Sequence, residues 1–241
     1  MKTLPTLTCF FATAGLLLAA DAATKDDVKA AAKSLADQSS YSWKSTVENA
    51  GGGGGGGGRG GGPTEGKTEK DGFTHLSMVR GDNTIVAVIK GGKGVVKTAD
   101  GWQSAEELAN DQDRQNPGRF AARMLTNYKT PALQAADLAD QVKELKKDGD
   151  TLAGELTEAG AKSLLSFGGR GGGNGPEISG AKGSAKFWVK DGTVAKYQFT
   201  VQGTMSFNGN DREINRTTTV EIKDVGTTKV EVPEEAKKKL Q

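Results

Sequence analysis

Cysteine is nearly missing from this chain. The one cysteine, Cys9, sits inside an apolar leader and precedes most of its apolar run, so it cannot be the acylated cysteine that follows a lipoprotein signal. The leader has a basic start at Lys2, an apolar stretch from Leu7 to Ala20 and a small-x-small site at Ala20-Asp21-Ala22, the pattern of a signal peptide over residues 1–22 cleaved after Ala22. The 219 residues that follow contain no thiol and no disulfide. The leader run is too short to span a bilayer comfortably, and no integral membrane segment is expected after its removal. Export without disulfides points to a bacterial periplasm or cell surface.

Histidine is almost as scarce. His75 stands alone, so Cys-His nucleophiles and His/Cys metal clusters are excluded, and a Ser-His-Asp site would have only this histidine and no G-x-S-x-G turn to work with. Net charge is small, +2 over 241 residues, which gives no basic field for nucleic acid. Aromatic residues make up 6% of the chain. The two Arg-Gly-Gly-Gly pieces, at Arg59 and Arg170, have no aromatic neighbours on which bases could stack. No cofactor is implied.

Glycine is the exception. Seventeen of the 35 glycines lie in two tracts, which read as loops over 51–63 and 168–176 within a single domain of residues 23–241. Gly61 to Thr68 matches the phosphate-loop pattern G-x-x-x-x-G-K-[ST]. It follows polyglycine rather than a strand and is followed by Asp71-Gly72 and strand-like sequence rather than a helix, so the phosphate reading is rejected. The carboxylates Glu106, Glu107, Asp111 and Asp113 cluster before a helix, where dipole complementation explains them.

The clearest signal is period-two alternation near the C-terminus. Lys186 to Lys190, the turn Asp191-Gly192, and Ala195 to Gln202 form a hairpin with Ala195, Tyr197, Phe199 and Val201 on one face. Thr217 to Asp224 continues the sheet with Thr218, Val220 and Ile222 inward. Earlier come a helix capped by Thr24, a strand through Tyr41 and Trp43, and strands at Phe73–Val79, Thr84–Lys90 and Gly94–Thr98. Helices start at Asn116-Pro117, Thr130-Pro131 and Thr157, and a hairpin flanks Asp148-Gly149. Glu234 to Lys239 reads as a solvated charged turn. The class is α+β with a broad antiparallel sheet, wet on one face and covered on the other. Ile85 to Ile89 is apolar on both faces, so part of the sheet touches something greasy on each side.

The order of elements, with Asp100-Gly101-Trp102, Phe187-Trp188-Val189-Lys190-Asp191-Gly192, Val220 to Gly226 and Val230-Glu231-Val232-Pro233, resembles the LolA/LppX-type lipoprotein-carrier superfamily. The resemblance implies a curved, incompletely closed antiparallel β-barrel, a half-barrel with helices over its concave face, that holds acyl chains. The glycine tracts are no part of that family's pattern.

Function then has two main readings. One is an exported, non-enzymatic carrier or chaperone for a lipid or acyl-chain ligand, with Trp43, Phe73, Phe187 and Phe199 lining the site. The other is a structural or interaction module in which the same residues are core packing and the glycine loops contact a partner protein. An enzyme using carboxylates ranks third. Oligomeric state is left open.

Overall fold

The computed structural model describes residues 24–50, 61–111, 116, 118–166, 177–207 and 209–241. The leader and the greater part of both glycine tracts lie outside the described residues.

Helix α1 (Lys25–Ala36) starts where a capping box closes it. Asp27 N–H donates to Thr24 Oγ1, and the Asp27 carboxylate accepts from Thr24 N–H. Its apolar stripe, Val28, Ala31, Ala32 and Leu35, is buried as the spacing predicts. Six strands follow as a meander: β1 (Ser40–Asn49), β2 (Gly61–Glu69), β3 (Thr74–Arg80), β4 (Asn83–Lys90), β5 (Lys93–Thr98) and β6 (Gly101–Ser104). Helices α2 (Ala105–Asn110), α3 (Gly118–Thr126) and α4 (Pro131–Gln141) come next. The short hairpin β7 (Lys146–Asp148) and β8 (Thr151–Glu155) leads to α5 (Glu158–Leu165). Three long strands, β9 (Glu177–Lys190), β10 (Thr193–Phe207) and β11 (Asn210–Lys223), and a last helix α6 (Glu234–Lys239) finish the chain.

All eleven strands form one antiparallel sheet, ordered β6-β5-β4-β3-β2-β1-β11-β10-β9-β8-β7. Two meanders are joined where β1 pairs with β11, from Ser42 opposite Lys223 to Asn49 opposite Arg216. The end strands β6 and β7 do not meet, so the barrel is incompletely closed. Helices α1 to α5 pack on one face and build the main core with it.

The other face carries a second, smaller core. Val88, Val95 and Trp102 are buried there against Ala236 of α6 and Leu240 just beyond it. Cross-strand pairing explains the split: Val88 opposes Val95 on one face, Ala87 opposes Val96 on the other. The apolar run of β4 is thus covered on both sides. Helix α6 is accordingly not the solvated turn its charges suggest: Ala236 is fully buried, and only its lysines and glutamates face out.

Two more sequence expectations are corrected. Gly61 to Pro63 belong to strand β2 and not to a glycine loop. The inward positions of β2 are Thr64, Gly66 and Thr68, so its alternation has no large apolar residue to reveal it. The same segment, as a strand between β1 and β3, has no helix behind it to cradle a phosphate. Ala195 does not share the core face with Tyr197. A bulge between Val194 and Lys196 shifts the register, so Val194 is the buried residue instead. The Asp191-Gly192 turn is as read: both residues have positive φ, 50° and 73°, which suits the two-residue hairpin.

Candidate functional site

The covered face of the sheet is the candidate site. Trp43 on β1, Phe187 on β9 and Phe199 on β10 all lie in the main core, none more than 7% exposed. Phe187 opposes Tyr197 and Leu152, and Phe199 opposes Ala185 and Thr218, so these rings share one continuous apolar surface. Phe73 is not brought to them. It packs on the opposite face, beside the second core, with Lys90 Nζ 4.6 Å from its ring centre. Trp188, the chain neighbour of Phe187, also points away, and Lys196 Nζ lies 5.1 Å from its ring.

Trp43 is seated on a glycine. A Cβ added at Gly66, its cross-strand partner, would stand 2.2 Å from the indole. Only the bare backbone of β2 leaves the ring room to lie flat on the sheet.

Polar groups are set into this apolar surface. Tyr41, Tyr128 and Tyr197, all three tyrosines of the chain, come together under the helices. Burial pushes all three phenols up, Tyr128 and Tyr197 far above their ordinary range, so they remain neutral hydroxyls. Tyr197 donates to Gln134 Oε1 of α4. Nearby, Thr74 Oγ1 donates to Thr68 Oγ1 at 3.3 Å. The indole N–H of Trp43 is buried and meets no partner among the described residues. Such a sealed, unpaired donor costs about 1–3 kcal/mol. It marks the seam between helices and sheet as imperfectly satisfied there.

Arg216 is the third polar intrusion. It occupies an inward position of β11, in phase with Ile214, Thr218, Val220 and Ile222. Its Nη2 donates to the carbonyl of Leu164 at 2.7 Å, while Nε is buried without a partner. Burial lowers its pKa from the usual guanidinium value, though it stays a cation at neutral pH. Neither the tyrosine cluster nor this arginine emerges from sequence reasoning that starts the last strand at Thr217. The available signal is an arginine in the apolar phase of a period-two strand.

Two hollows stand out among the described residues, and both are open grooves with charged rims. One, of about 620 Å³, lies between Asp100, Glu107, Asp111 and Lys239. The other, of about 730 Å³, lies where Lys143, Glu155 and Glu158 approach Ala181 and Lys182 of β9. Trp43, Phe73, Phe187 and Phe199 line neither. Among the described residues there is no cluster of three or more side chains suited to hold a metal, and no helix is long and apolar enough to cross a membrane. His75 is half-buried in β3, and burial, with Lys67 nearby, lowers its pKa.

No protein-family model matches the chain, and no curated protein matches it in sequence. Solved structures do. The chain is similar in fold to the mycobacterial lipoprotein LppX. That protein, from Mycobacterium tuberculosis, shares 10% identity, with 87% of this chain and 97% of that one covered at a TM-score of 0.45. LprF of Mycobacterium bovis shares 12%, with 88% and 96% covered and a TM-score of 0.43. A LolA superfamily protein of Nitrosomonas europaea shares 8%, with 86% and 94% covered and a TM-score of 0.33. At such identities the likeness concerns the fold alone.

Proposed function

We propose that this protein is an exported, periplasmic or secreted, non-enzymatic carrier for a lipid or acyl-chain ligand, which it takes up between the sheet's covered face and helices α1 to α5. The observation that supports this most is the way the cover is fastened. Five helices of 6 to 12 residues are joined to the sheet chiefly by apolar contacts. Side-chain hydrogen bonds across the seam are few among the described residues, notably Tyr197 to Gln134, Arg216 to Leu164 and Tyr41 to the start of α4 at Thr130 and Ala132.

Apolar contacts are non-directional, so a ligand's methylenes can replace them as the helices part. Each buried methylene contributes about 0.8 kcal/mol, so a sixteen-carbon chain would gain roughly 12 kcal/mol before the cost of parting the helices. Trp43, Phe187 and Phe199 would face that chain. Phe73, on the far side of the sheet, would not.

The second reading, a structural or interaction module with a filled interior, is favoured by one observation. The same three rings are packed into the core, and the two grooves described above have charged rims. Mass spectrometry of organic extracts from protein purified out of its native compartment separates the two. The carrier reading expects lipid in stoichiometric amount. Repeated lipid-free preparations that also fail to take up lipid from vesicles would favour the module.

A further inference from the structure

β11 places a cation on the greasy side of the sheet with no anion among the described residues to match it. At the register of Arg216 the flanking strands offer Asn49 of β1 and Val201 of β10, both uncharged. The next same-face positions on β11, Ile214 and Thr218, are uncharged as well. Among the described residues no carboxylate lies within ion-pair distance of the guanidinium, although twelve lysine–carboxylate pairs form elsewhere. The segment that follows α5, residues 167–176, contains no acidic residue. Only a backbone carbonyl answers one edge of the group, and its Nε is sealed in without a partner. A guanidinium more than half buried, as this one is, is ordinarily paired with an anion.

Arg216 also stands at the rim of the core. Beyond it β1 runs out to exposed Glu48 and Asn49. In the other direction the same face of β11 runs inward through Thr218 and Val220 to Ile222, the cross-strand partner of Trp43. Six residues of strand cover about 20 Å. The face thus reads as a charged head position at the rim with an apolar track leading inward.

We propose that Arg216 receives the anionic head group, a carboxylate or a phosphate, of an amphiphile whose hydrocarbon chain lies along β11 and β10 toward Trp43. This rests on the carrier reading above and narrows its ligand to an acid. A guanidinium holds both head groups through paired charge-assisted hydrogen bonds, stronger than the single bond it makes to the Leu164 carbonyl.

The test compares three probes on the mature protein: palmitate, hexadecyl phosphate and the neutral methyl palmitate, each below its aggregation concentration and each titrated in competition with a fluorescent fatty acid. The wild-type protein is expected to bind one or both acids at least about tenfold more tightly than the ester. Which acid leads assigns the head group. Arg216→Gln should erase the preference, so that acids and ester bind alike, and Arg216→Lys should restore part of it. The preference in the wild-type protein is read without any variant, so a misfolded Arg216→Gln does not spoil the test. Equal binding of acids and ester by wild type would overturn the role of Arg216 and leave the carrier reading standing. Binding of none of the three would overturn both.

Discussion

Phe187 and Trp188 are adjacent in the chain and opposite in fate. Phe187 is fully buried in the main core, whereas Trp188 lies on the outer face under Lys196. Phe187→Ala should cost about 3–5 kcal/mol in denaturant unfolding, the range for a large core ring, while Trp188→Ala should cost under about 1 kcal/mol. Gly66→Ala adds a methyl where the Trp43 indole already lies and should cost about 1–3 kcal/mol, with a change in the tryptophan emission of the folded state. A neutral result would show that the ring is not pinned to β2. Period two made Trp43, Phe187 and Phe199 legible in the sequence, because each falls in the apolar phase of a long strand. It also places Phe73, in phase with His75 and Ser77 and opposite the buried Leu76 and Met78; counting Phe73 as lining followed its aromatic ring and not its period. Arg216 stayed hidden for a different reason: its strand begins at Asn210, in polar sequence that carries no apolar alternation.

Elements were legible where their ends are chemically marked. Thr24, Thr130 and Thr157 cap the helices that start beside them. Helix α2 has the same mark, a capping box between Ser104 and Glu107, but only Leu108 on its buried side, too little for an apolar period. The two boxes give a pH prediction. Asp27 and Glu107 are both held below their ordinary carboxylate range, chiefly by the backbone N–H of Thr24 and of Ser104, with their hydroxyls adding to it. A carboxyl whose folded pKa is depressed supports the fold fully above its unfolded pKa and loses that support as pH falls through the folded one. Stability should therefore fall as pH drops below about 4.5. Asp27→Asn with Glu107→Gln should lower the unfolding midpoint at neutral pH and leave a shallower acid dependence. An unchanged acid slope would remove the boxes from the account. Helix α6 makes a separate claim. Truncation before Glu234 should uncover Val88, Val95 and Trp102, seen as greater acrylamide quenching and a lower melting temperature. A tail that is only solvated would change neither.

Across the molecule, the sheet is one continuous surface with unequal sides. The large side meets five short helices through apolar contacts, and the small side meets a single helix at β4 to β6. The order of helices and hairpins was readable from turns and caps. The joining of two meanders through β1 and β11 was not, because that pairing spans most of the chain and leaves no local trace. The proposed function rests on the large side. A seam of exchangeable apolar contacts, with an unpaired donor at Trp43 and a cation at Arg216 that has no anion among the described residues, is what the carrier proposal uses. The most direct measurement is equilibrium titration of the purified mature protein with a fluorescent long-chain fatty acid. The account predicts saturable binding near one ligand per chain, displaced by unlabelled palmitate and accompanied by a change in Trp43 emission that Trp43→Phe removes. Linear, non-saturable signal with no change at Trp43 would contradict it.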